Sequence, residues 1–122
     1  MFEAYGTRTP ERAFEFLHPE VHYDLTVRPD GKVWHGHDGV RRALIEWTGT
    51  WEDWEMDVER YIDAGDDRVL VLWNEHGRAK GSGVTLSQAG VTVCTVRDGM
   101  VWAMVVSLDR SAALRAMGLQ DS

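Results

Sequence analysis

The densest apolar pattern in the chain runs from Val91 to Leu119. Val91–Val96 and Val101–Leu108 are apolar, β-branched runs on either side of Arg97-Asp98-Gly99-Met100. Asp-Gly favours a tight hairpin turn because glycine tolerates positive φ, so the spacing predicts two paired strands. A strand with one wet face alternates apolar and polar residues; these two are apolar on both faces. One face is expected to meet a core, and the other a second layer or a partner chain. Asp109 stands where it can cap a helix from about Arg110 to Met117, with Gly118 at the usual position of a C-terminal glycine.

Upstream the pattern is less regular. Thr9-Pro10-Glu11-Arg12 has helix-opening character, with Phe14, Leu17 and Phe16 as its apolar stripe and His18-Pro19 as its stop. Val21–Val27 alternates as a strand, Arg28-Pro29-Asp30-Gly31 reads as a turn, and Lys32–His35 as a short extended piece. A helix is expected from about Gly39 to Trp51, capped by Asp38, because Val40, Ala43, Leu44 and Trp47 recur at helical spacing. Glu55–Ile62 alternates again. Arg68–Asn74 is strongly apolar, Glu75–Gly83 reads as a loop or a twisted strand end with a bulge, and Val84–Gln88 resumes extension. Helix, strand, helix, then long strands and a terminal helix predict an α+β fold, with helices laid on one face of a curved antiparallel sheet.

Length and charge narrow the function classes. At 122 residues with no internal repeat or linker, the chain reads as a single domain over 1–122. A net charge of −7 without a basic cluster argues against nucleic acid and against anionic membrane. No apolar run approaches the ~20 residues of a membrane span. Cys94, the single cysteine, sits mid-strand and reads as a small buried hydrophobe, which fits a cytoplasmic chain without disulfides. Six tryptophans are many for this length, and large aromatics line pockets as well as filling cores.

Several segments together resemble the SnoaL-like group of the NTF2-like (ketosteroid isomerase-like) superfamily. They are Gly36-x-x-Gly-Val-Arg, Trp51-Glu-Asp-Trp, Ile62-Asp-Ala-Gly-Asp, Gly77-Arg-Ala-Lys-Gly-Ser-Gly83, the Val-Arg-Asp-Gly-x-Val turn at 96–101, and the segment from Asp109 to Leu119. The resemblance implies a cone: a mixed or antiparallel β-sheet wrapped around N-terminal helices, with a short C-terminal helix and an apolar pocket open at one end. It also implies a homodimer through the convex sheet face and a long opening helix, of which Met1–Tyr5 would be a short remnant.

The resemblance frames the candidate chemistry. Ketosteroid isomerases need a carboxylate base on the first strand, but that position falls on Leu25, with Asp24 one residue off and so on the opposite face. Their late-strand acid would fall on Val93. An epoxide-hydrolase arrangement finds only Arg28-Pro-Asp30, in a turn. Dehydratase-like proton transfer would use Asp24 or His76 as the base and Tyr23 as its hydrogen-bond partner. His35-Gly-His37-Asp38 reads as solvated or capping side chains, since a metal site needs three or four converging ligands. No metal and no cofactor are expected. The expected ligand is an apolar or aromatic small molecule held among Phe14, Leu17, Tyr23, Trp34, Trp47, Trp51, Trp54, Trp73, Glu75, Val93 and Trp102. Whether the chain catalyses a cofactor-free isomerisation, cyclisation or dehydration, or only binds its ligand or dimerises, stays open on the sequence.

Overall fold

The computed structural model describes residues 14–28 and 31–118. Helices expected over Met1–Tyr5 and from Thr9 fall largely outside those residues, as does the side chain of Phe14. The described chain opens with a turn of 3₁₀ helix at Phe14–Phe16 and continues through six strands and two helices. The strands are β1 (Leu17–Asp24), β2 (Val33–His35), β3 (Trp51–Gly65), β4 (Arg68–Ala79), β5 (Thr85–Arg97) and β6 (Met100–Ser107). The helices are α1 (Gly36–Gly49), between β2 and β3, and α2 (Arg110–Ala116), after β6.

The sheet order is β2-β1-β6-β5-β4-β3. β1 runs parallel to β6 and every other pair is antiparallel, so the sheet is mixed. Its curvature has local causes. The β3–β4 register shifts between Glu52 and Glu55, where Asp53 has φ +53°, and again between Val58 and Arg60. Each extra residue bends the strand and tightens its twist. At Asp98-Gly99 both residues take positive φ, 52° and 75°, as a two-residue hairpin turn requires.

Some expectations from the sequence are corrected. Leu17 opens a strand rather than closing a helix, and Pro19 lies inside β1. There the β1–β6 register shifts and β2 pairs only with His22–Asp24, so no ladder hydrogen bond is lost to the proline. α1 begins three residues earlier than expected, with His35 at its cap. Asp38 sits in the first turn and pairs with Arg41 at 3.3 Å. Trp51 starts β3 instead of ending the helix, and β4 continues through Glu75 to Ala79 because β3 and β5 flank it along that whole length.

The two helices lie on opposite faces. α1 puts Val40 and Ala43 against the concave face, in a core with Leu17, Val21, Leu25, Val71, Trp73, Cys94 and Met104. α2 covers the convex face, where Leu114 closes over Leu70, Leu72 and Val91 with Ala113 and Met117 beside it. The apolar second face of the late strands is thus met in part by the chain's own helix. Asp109 caps α2 by accepting from the Ala112 N–H at 2.9 Å. Arg110 clamps the helix to the sheet, donating to the Gly90 and Trp73 carbonyls at 3.1 and 2.8 Å and to Glu59 at 3.0 Å.

Trp73 and Gly90 face each other across β4 and β5, and the indole lies directly on the glycine. A Cβ built at Gly90 would stand 2.5 Å from two ring carbons of Trp73. Gly90→Ala is therefore expected to force the indole aside and lower the unfolding free energy by about 1–3 kcal/mol, read from urea denaturation.

Candidate functional site

The sequence alternation along β4 sets up the site. Val69, Val71, Trp73 and Glu75 share the concave face by the two-residue period of a strand. Glu75 is thereby carried into the core side of the sheet and is 1% exposed. An isolated buried carboxylate would be costly, so its partners define the place. The Trp47 and Trp54 indole N–H groups both donate to Glu75 Oε2 at 3.0 Å. The Gln88 side-chain amide donates to Oε1, and the Arg28 guanidinium stands 3.7 Å from the same oxygen. Two indoles and a guanidinium can only donate, so both carboxylate oxygens act as acceptors toward every neighbour.

Around this carboxylate lies a concavity between α1 and the sheet. β1 and the segment after it contribute Tyr23, Leu25 and Arg28; α1 contributes Ala43, Leu44 and Trp47. β3 contributes Trp54 and Met56, β4 Trp73 and Glu75, and β5 and β6 Thr92, Met104 and Val106. Space for the centre of a water-sized molecule is about 40 Å³; counted outward into open solvent, the concavity encloses about 600 Å³. The first figure is room for a few waters, so an aromatic guest would have to shift a side chain. Arg28 is among the lining residues, its guanidinium over the Trp47 ring at 3.8 Å. Trp73 is pinned by its N–H donating to Thr92 Oγ1 at 2.9 Å.

One polar group here is left wanting. Arg28 Nε is buried and has no hydrogen-bond partner among the described residues. A buried unpaired donor costs about 1–3 kcal/mol. Beside it, burial pushes the Tyr23 phenol up to about 12, Arg28 pulls it partly back, and Glu75 adds to the push.

The structure brings together Tyr23, Trp47, Trp54, Trp73 and Glu75 and leaves elsewhere the other sequence candidates whose side chains are described. Asp24 shares its side of the sheet with Val105, opposite to Tyr23, and accepts from the Thr26 hydroxyl and amide at 2.6 and 2.9 Å. Those bonds, the hydroxyl's first, hold its carboxyl below the usual range. His76 alternates away from Glu75, is exposed, and approaches Asp57 at 4.0 Å. Leu17 is core, beyond the cavity lining. Val93 packs with the convex-face cluster under α2, because one residue along β5 reverses the face. Trp34 carries Lys32 over its ring at 4.1 Å, and Trp102 stacks on His18 at 3.5 Å. Trp51 meets Trp47 edge-on at 5.4 Å, its own N–H buried without a partner among the described residues. His37 donates to the Leu17 carbonyl at 2.7 Å. No cluster of three His, Cys, Asp or Glu suited to a metal occurs among the described residues. Arg28 and Gln88 were missed from the sequence: Arg28 stands in a turn, and Gln88 reaches Glu75 only through the β4–β5 register.

Residues 1–104 match the SnoaL-like domain family. No curated protein matches the sequence. Several solved structures share the fold. TerC, co-crystallised with polyporic acid, is 22% identical with a TM-score of 0.72, over 96% of this chain and 92% of its own. A Catenulispora acidiphila protein of ketosteroid isomerase-like fold, in complex with trimethylamine, is 16% identical with a TM-score of 0.73, over 95% and 87%. A Xanthomonas campestris protein assigned as a polyketide cyclase is 19% identical with a TM-score of 0.70, over 94% and 89%. At these identities the likeness is one of fold. Among the described residues no helix is long and apolar enough to cross a membrane.

Glu75→Ala should strand two indole N–H groups, an amide and a guanidinium, and lower the unfolding free energy by about 3–5 kcal/mol in denaturant titration. Tyr23 sets an alkaline limit. An unfolded phenol ionises near pH ~10, the folded one at about 12. Its share of stability is complete below ~10 and is lost as the pH rises toward 12. Absorbance titration of the phenolate should show a late-ionising group in the wild type that Tyr23→Phe removes.

Proposed function

The chain belongs to the SnoaL-like domain family, and from that premise we propose that it binds an apolar, aromatic small molecule in the concavity between α1 and the sheet. Membership of this family points to small-molecule binding or to isomerase or cyclase activity. The observation that carries the binding reading is the lining: the Trp47, Trp54 and Trp73 indoles, backed by Leu25, Leu44 and Met56, around a single carboxylate. A mostly apolar concavity with few convergent polar groups is the usual form of a small-molecule site. Two proteins of this fold hold small molecules in their crystals, which supports the same reading.

Binding without proton transfer by the chain itself fits the polar groups best. Glu75 already accepts three hydrogen bonds and faces the Arg28 guanidinium at 3.7 Å, so its oxygens are occupied by the chain's own donors rather than turned to a substrate proton. Tyr23 is held as a neutral phenol, and Arg28 as a cation. One observation favours the second reading, a cofactor-free isomerase or cyclase. Tyr23 and Arg28, an O–H donor and an N–H donor, both line one largely apolar cavity, and such paired donors can hold a developing oxyanion.

The same proposal takes the chain as a cytoplasmic homodimer. Support for pairing through the convex face comes from Val105, 43% exposed, beside the half-buried Val93 and Ala103. α2 already covers Leu70, Leu72 and Val91, so the patch available to a partner lies toward β6.

Titration with aromatic and polyketide-like compounds, followed by tryptophan quenching, tests the reading. A ligand that binds the wild type should bind Trp54→Ala at least about tenfold more weakly, a loss of about 1.4 kcal/mol. Asp24→Asn and His76→Ala should bind as the wild type does. Full affinity in Trp54→Ala would place the site elsewhere. Loss of turnover in Asp24→Asn, with binding intact, would restore Asp24 as a catalytic base.

A further inference from the structure

Arg28 is an unusual occupant of an aromatic cavity. Its guanidinium lies over the Trp47 ring at 3.8 Å and stands 3.7 Å from Glu75, the place where an aromatic cage with a carboxylate would otherwise take a ligand cation. Among the described residues its charge is incompletely matched, because Glu75 already accepts from three neutral donors and lies beyond hydrogen-bond distance of the guanidinium. Its Nε–H is buried without a partner among the described residues. Tyr23 lines the same cavity with a second donor.

We propose that Arg28 sets the ligand class: the concavity takes an aromatic molecule bearing an oxyanion (a carboxylate, enolate or phenolate), which meets the Arg28 Nε–H and the Tyr23 hydroxyl, and it excludes aromatic ammonium compounds. This rests on the small-molecule reading above and goes beyond it by naming the charge of the guest. An oxyanion gives the unpaired donor its acceptor and the desolvated guanidinium a closer counter-charge. An ammonium ion would meet Arg28 on the aromatic face that it needs.

Three probes on one naphthalene frame decide the matter: 2-naphthoate, its near-isosteric neutral counterpart 2-naphthamide, and the bulkier cation 2-naphthylmethyl-trimethylammonium, each titrated calorimetrically into the full chain. The wild type should bind naphthoate about tenfold or more tighter than naphthamide, and the ammonium compound most weakly. Arg28→Met should level naphthoate with naphthamide. Arg28→Lys keeps the charge and drops the Nε–H; it should bind naphthoate more weakly than the wild type while still preferring it to naphthamide. Thermal unfolding of both variants checks that they fold. Equal wild-type affinity for naphthoate and naphthamide, tightest binding of the ammonium compound, or an unchanged preference in both variants would each overturn the assignment while leaving the pocket reading in place. Binding of none of the three would sink both.

Discussion

A carboxylate 1% exposed inside a protein survives only if its surroundings answer it, and Glu75 is the constraint the concave side of this molecule is built to meet. Its partners come from four separate parts of the chain: Arg28 after β1, Trp47 near the end of α1, Trp54 at the start of β3, and Gln88 in β5. Each contact fixes one wall relative to another. The indoles are held edge-on toward the carboxylate, so their N–H groups are consumed and their carbon faces are left to line the concavity. A charged group thus arranges an apolar surface, which hydrophobic packing alone would leave free to slide.

The sheet supplies the other half of the geometry. Bulges in β3 bend the strand that carries Trp54 and Met56 inward. The Trp73–Gly90 pair replaces a side chain with an indole lying on bare backbone, which lets β4 and β5 curve tightly around the ring. α1 then closes the concave side with Val40, Ala43, Leu44 and Trp47 on one stripe, the face its helical period prescribes.

Much of the fold was legible in the sequence, because local signals and long-range packing agree there. The Asp98-Gly99 turn, the Asp109 cap and the stripe of α1 each appear where their spacing puts them. The failures were failures of competition. His18-Pro19 reads as a helix stop, yet β6 recruits Leu17 into a parallel pairing that no local pattern announces. Glu75–Gly83 reads as a loop or a twisted strand end, and only the two neighbouring strands decide it, extending the ladder through Ala79. At the site, period-two alternation was sufficient to set Glu75 beside Trp73 and to turn Asp24, His76 and Val93 away from the cavity. The contacts of Arg28 and Gln88 with Glu75 are not legible in the sequence, because they depend on tertiary approach and on register, neither of which leaves a mark in the spacing of residues along the chain.

The Arg110 clamp gives the sheet a mechanical property. From the convex side it grips the carbonyls of Trp73 and Gly90, the two residues whose concave side is the indole-on-glycine contact. One paired site on β4 and β5 therefore serves as part of the floor of the concavity and as the anchorage of α2. Strain applied to either side is felt by the other through a single peptide layer rather than through a relay of side chains. The terminal helix acts as a brace bolted through the wall of the cup, and the cup holds its shape only as long as the bolt is tight.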